Sequence, residues 1–125
     1  MKRFYSGFKL SDADRNFLLD LFPPKYPVVR CEHVTVELTQ GAAPDMPYPY
    51  PMSVIGYVDS GFMEVLAVEV NGKALRQDGE LYHVTHSYQP GHESREAGTV
   101  IRSFDIQQKH FVGIGGEPFI RVRRA

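Results

Sequence analysis

From residue 52 onward the chain alternates short β-rich segments with closely spaced turn signals, and this spacing limits the folds open to it more than any other feature. Residues 52–58 and 62–70 are rich in Val and are separated by Asp59-Ser60-Gly61, a hairpin-turn sequence. Asn71-Gly72 supplies the next turn, and Gln77-Asp78-Gly79 another before a strand over 81–88. Segments joined this tightly pair as antiparallel neighbours, because a parallel pairing needs a crossover of about a dozen residues or more. Residues 99–112 and 118–123 read as further strands around Gly113-Ile114-Gly115-Gly116, and the polar stretch 90–98 has room for one helical turn.

Upstream, residues 4–10 form a strand candidate and residues 28–39, alternating in polarity and rich in Val and Thr, form another. Between them Ser11 is placed to cap a helix over about residues 12–22. Asp14 is placed to return that bond, Phe17, Leu18 and Leu21 share a face, and Pro23-Pro24 stop the helix. Residues 40–52 carry four prolines and read as a long loop, in which Tyr48 and Tyr50 are candidates for a lid. The expected class is α+β, an antiparallel β-rich domain with one N-terminal helix. With 125 residues, 42% of them hydrophobic, a single domain over 1–125 accounts for the chain.

Fourteen basic against fifteen acidic residues leave a net charge of -1, so no global basic field is available to hold a long nucleic-acid duplex. A small ligand is the better match. The one cysteine, Cys31, excludes an intramolecular disulfide and a cysteine-built zinc site. The opening MKRFYSGFKL lacks the apolar core of a signal peptide, and no apolar run reaches the roughly 20 residues of a membrane span. A soluble, cytoplasmic protein is expected, with no membrane partner.

Two tripeptides are identical: His33-Val34-Thr35 and His83-Val84-Thr85. Both fall on expected strands. Side chains alternate along a strand, so each motif sets an imidazole and a hydroxyl on one face while valines anchor the other. Cleaving a phosphodiester without a metal needs a base for the attacking oxygen and an acid for the leaving oxygen, and imidazoles titrating near pH 6.5 suit both roles. Threonine hydroxyls can donate to the non-bridging phosphate oxygens. His33 and His83 are therefore candidate catalytic residues, and Thr35 and Thr85 candidate phosphate-binding residues.

Cys31-Glu32-His33-Val34-Thr35-Val36 and Tyr82-His83-Val84-Thr85-His86-Ser87 resemble the paired His-x-Thr signatures of the two-histidine phosphoesterase superfamily. That superfamily includes 2′,3′-cyclic phosphodiesterases, 2′-5′ RNA ligase-like proteins and phage enzymes that degrade cyclic nucleotide signals. The run from Tyr5-Ser6-Gly7-Phe8 to Phe22-Pro23-Pro24-Lys25-Tyr26-Pro27 resembles small bacterial and phage RNA-repair-like members. The resemblance implies a two-lobed, pseudo-twofold fold with one motif per lobe facing a shared cleft. It also implies catalysis without metal or cofactor on a nucleotide or short oligonucleotide.

His86 and His92 with His83 suggest a metal site, yet His83 and His86, three apart on a strand, face opposite sides, so no metal is expected. Cys31 shares the His33 face on a continuous strand, but nothing near it in sequence would lower its pKa. Tyr5 and Lys25 are candidate substrate-binding residues, for a base and a phosphate. Arg121, Arg123 and Arg124 read as a solvated basic tail, with Arg121 and Arg123 on one strand face able to reach phosphate. The alternatives to an enzyme of this type are a non-catalytic module that holds a nucleotide or a protein, and a metal-dependent β-domain enzyme.

Overall fold

Ser11 caps the first helix through its Oγ, which accepts from the Asp14 amide at 3.2 Å, and α1 then runs over Asp12–Leu21. It ends where Phe22 precedes Pro23, because proline disfavours helical backbone in the residue before it. Asp14 does not return the capping bond. Its carboxylate accepts instead from the Gly115 amide at 2.7 Å, tying the helix to a turn a hundred residues away.

The computed structural model describes residues 1–123; Arg124 lies outside them. The strands are β1 (Arg3–Leu10), β2 (Val28–Val29), β3 (His33–Gln40), β4 (Met52–Asp59), β5 (Met63–Val70), β6 (His83–Tyr88), β7 (Gln108–Ile114) and β8 (Gly116–Arg123). They form two antiparallel sheets, one in the order β3-β1-β8 and one in the order β2-β6-β5-β4-β7. With the helices, the class is α+β as expected. The hairpins fall where the turn residues put them: Asn71 and Gly72 take φ of 52° and 74°, the left-handed pair a tight two-residue hairpin requires. Residues 41–51 hold no helix or strand, as their prolines dictate.

Two elements depart from expectation. Residues 97–103, read as the start of a long strand from Thr99, form α2 (Ala97–Ser103) after a 3-10 turn at Ser94–Glu96. Ala97, Val100 and Ile101 recur at helical spacing and are buried against Val65, Ala67 and Tyr88, so packing overrides the β preference of Thr99, Val100 and Ile101. The expected strand over 28–39 is also two strands, broken at Cys31, whose φ is 55°. The break moves the chain from one sheet to the other. Before it, Arg30 and Cys31 donate backbone hydrogen bonds to His86 and Thr85, both at 2.8 Å; after it, Glu32 accepts from Leu10 at 2.9 Å and β3 joins β1.

Phe8, Leu18, Val34, Val54, Leu66, Val68 and Val84 belong to one core that joins both sheets to α1, and a second core lies between the five-stranded sheet and α2. Burying a side chain such as Phe8 or Leu66 contributes roughly 1.5–3 kcal/mol. Both motif valines, Val34 and Val84, are fully buried in the first core, which fixes the opposite strand face outward. No helix among the described residues is long and apolar enough to cross a membrane.

Candidate active site

Each His-Val-Thr tripeptide opens a strand, β3 in the three-stranded sheet and β6 in the five-stranded sheet. The backbone bonds from Arg30 and Cys31 to His86 and Thr85 dock the approach to the first motif directly onto the second. All four motif side chains, His33, Thr35, His83 and Thr85, are half-buried, and the two valines point away into the core.

The first motif is set by glycine. Thr35 lies opposite Gly7 on β1 at a register shift, and a Cβ at Gly7 would fall 2.1 Å from the Val34 carbonyl oxygen. Any larger residue there would push β3 away. His33 sits among aromatic rings, 5.8 Å between centroids from Tyr5 and 5.6 Å edge-on from Phe119. Burial lowers its proton affinity; Glu32 opposes this, and the charges of Arg121 and His83 add to the lowering. β3 and β6 are in contact where the two sheets meet, which brings the two motifs near one another.

The second motif is held by hydrogen bonds. His83 Nδ1 lies 2.9 Å from the Leu81 carbonyl oxygen, which can only accept, so Nδ1 carries a hydrogen and Nε2 is left for chemistry. Burial again lowers the proton affinity, the Leu81 bond and Glu80 oppose it, and Arg76 adds to it. Arg76 is itself paired with Asp78 at 2.7 Å. Gly98 of α2 lies beside the ring: a Cβ there would be 3.9 Å from His83 Cε1. The Thr85 hydroxyl donates to the Ser94 carbonyl at 3.3 Å, a long bond that nevertheless engages the hydrogen expected to face phosphate.

Lys25 is elsewhere. Its Nζ pairs with Asp59 at 2.7 Å and its amide donates to Glu64 at 2.8 Å, three residues along β5 from Ala67, the partner of His83, or about 10 Å by strand rise. Lys25 therefore belongs to a buried acidic cluster that the sequence did not announce. In it Glu64 also accepts from Tyr57 and Ser87, and Asp59 accepts from Tyr26 at 2.6 Å. Burial alone would raise the Asp59 pKa, but the bonds from Lys25 and Tyr26 outweigh it and hold the carboxyl below its usual range. The cluster pins the segment after α1 to the β4–β5 turn, and with its acceptors filled it presents no open site.

His86 is a core residue. It is fully buried, its Nε2 donates to the Phe22 carbonyl at 2.6 Å, and burial holds it neutral. His92 stacks on Phe62 and pairs with Glu96 at 3.0 Å. Among the described residues no three His, Cys, Asp or Glu side chains converge as metal ligands would. The break in the strand removes Cys31 from the His33 face and buries it completely, and burial pushes its thiol up to about 11, out of the nucleophile's range. Tyr48 and Tyr50 pack on each other at 4.9 Å in the exposed proline-rich loop. A depression of about 280 Å3 lies farther along β3, between Val36, Glu37, Leu38, Gln77 and Asp78; another of about 590 Å3 lies at the start of α1, and neither is lined by a motif residue.

The chain matches no protein family, no curated protein and no solved structure. The site holds two imidazoles of lowered proton affinity on strands in contact, one hydroxyl with no described partner, and aromatic rings and an arginine beside His33.

Proposed function

We propose that this chain is a metal-independent phosphodiesterase acting on a 2′,3′-cyclic phosphate, a cyclic nucleotide or a short oligonucleotide. The observation that carries the reading is that two identical His-Val-Thr strand starts, one from each sheet, lie on strands in contact, with the chain just before the first bonded to the second. The two sheets are then the two lobes of a pseudo-twofold, two-histidine phosphoesterase arrangement, and the phosphate lies between the imidazoles.

The surroundings divide the labour. His33 has no ring hydrogen bond among the described residues to favour its charged form, and burial lowers its proton affinity, so His33 is the neutral base that takes the proton of the attacking water. The Leu81 carbonyl favours the charged form of His83 by more than Arg76 opposes it, and the phosphate adds to this, so His83 is the acid. As water's oxygen bonds to phosphorus, the P–O bond to the leaving group breaks and that oxygen takes the proton from His83 Nε2. Thr35 donates to a non-bridging oxygen. Thr85 does the same only after turning from the Ser94 carbonyl.

The test is a chromatographic screen in EDTA of wild type, His33→Ala and His83→Ala against 2′,3′-cyclic mononucleotides, 2′-5′ oligoadenylates and cyclic di- and trinucleotides. Turnover by wild type that both variants lose is expected. Activity that disappears in EDTA and returns with zinc or manganese would overturn the mechanism. Tight binding without product would select the non-catalytic module instead, a reading that the engaged Thr85 hydroxyl favours.

A further inference from the structure

Beside His33 the three-stranded sheet carries more than the proposed reaction uses. Tyr5, Gly7 and Lys9 of β1 lie opposite Arg121, Phe119 and Glu117 of β8, while Gly7 and Lys9 lie opposite Thr35 and His33 of β3. The Phe119 ring meets Tyr5 edge-on at 5.4 Å and His33 at 5.6 Å, and the Arg121 guanidinium lies over Phe119 at 4.9 Å from its centroid. Arg121 thus shares the motif face, one alternation beyond the Thr35 row.

Its charge is unpaired, as those of Lys9 and Lys109 are among the described residues, but Arg121 alone lies over the ring that meets His33. Arg30, Arg76, Arg95, Arg102 and Lys25 are each paired with a carboxylate, but Arg121 has no carboxylate partner among the described residues and stays exposed. A guanidinium held over a ring keeps its fork of donors pointed outward, the form that binds phosphate bidentately. Arg121 lies two residues, about 7 Å, beyond the row of Thr35, Gly7 and Phe119, the order of separation between successive phosphates of a nucleotide chain, so a phosphate held by Thr35 sets the next one at Arg121.

We propose that Arg121, laid over Phe119 beside His33, binds a second phosphate of the ligand, one nucleotide unit from the phosphate at the two histidines. The site is then built for ligands with at least two phosphates, an oligonucleotide end or a cyclic oligonucleotide, rather than for a lone cyclic mononucleotide. The inference rests on the proposed function for the position of the first phosphate.

Titration calorimetry with adenosine 3′-monophosphate and adenosine 3′,5′-bisphosphate at fixed ionic strength tests it without requiring turnover. Wild type should bind the bisphosphate about 10-fold more tightly, the worth of one charge-assisted contact. Arg121→Gln should bring the two affinities within about twofold while leaving the monophosphate unchanged, and Arg121→Lys should keep part of the preference as a point charge without the fork. Equal wild-type affinities, binding of neither nucleotide, or a preference that survives in Arg121→Gln would overturn the proposal. Loss of the preference in Arg121→Gln from a wild type that hydrolyses no phosphodiester would uphold the second contact while defeating the hydrolase reading. Turnover with no preference would do the reverse.

Discussion

The strand starts at His33 and His83 have the same three residues, the same alternation and the same buried valine, yet their imidazoles are held by different means. His33 is gripped by rings, Tyr5 and Phe119, with Arg121 near it. His83 is gripped by a backbone acceptor, the Leu81 carbonyl, with Glu80 near it. Burial lowers the proton affinity of both and each has a carboxylate and an arginine near it, Glu32 and Arg121 at His33, Glu80 and Arg76 at His83, so what sets them apart is the Leu81 carbonyl, which favours an added proton on His83. Two copies of one tripeptide are thereby held by different kinds of neighbour, distant in sequence for His33 and local for His83, and the proposed division of the proton transfer rests on that difference.

The sharpest way to break the comparison is to delete each imidazole. His33→Ala and His83→Ala should each lower kcat by about 10²- to 10⁴-fold with the melting temperature nearly unchanged, since both rings lie on the outward face and the core contacts belong to Val34 and Val84. Steady-state kinetics on the best substrate checks this, and a variant that keeps wild-type turnover would remove its motif from the site.

The threonines sharpen the comparison at smaller scale. Thr35→Val should lower kcat/KM about 10-fold, as loss of one hydrogen bond to a developing charge does. Thr85→Val should cost about threefold, because its hydroxyl already donates to Ser94. Equal losses would mean that Thr85 swings to the phosphate at no cost.

His86 contrasts with both motif histidines because it is folded into the core. All three have lowered proton affinity, so the unfolded chain, with imidazoles near pH 6.5, binds more protons than the native one. Stability is therefore fully present above about pH 6.5 and is lost as the pH falls through that value. His86→Gln, whose amide can still donate to the Phe22 carbonyl, should cost about 1 kcal/mol at pH 7.5 and flatten the decline. Chemical denaturation at pH 7.5 and 5.5 reads both effects.

The hairpins, the helix after Ser11 and the proline-rich loop were legible in the sequence because each is set by local chemistry: left-handed φ at Asn71 and Gly72, a cap at Ser11, proline's missing donor. The two motifs and the outward face of their histidines were legible for the same reason. What was not legible depends on distant partners. Val100 and Ile101 look like strand residues until the five-stranded sheet gives them a helical face to fill. Lys25 looks like a free cation until Asp59 is beside it, and Arg121 looks like a tail until the register opposite Tyr5 sets it on the motif face. Cys31 looks like a strand residue until its backbone is needed to carry the chain between sheets.

The most direct test of a divided acid–base pair is the pH dependence of kcat/KM for wild type and the two single histidine variants. Because both imidazoles have lowered proton affinity, a pair with one neutral and one charged member should give a bell with its maximum below pH 6.5. The residual activity of His33→Ala should lose the acidic limb, where the base is protonated, and that of His83→Ala the alkaline limb, where the acid is lost. A bell that persists in both variants, or limbs lost in the opposite order, would contradict the division of roles between His33 and His83.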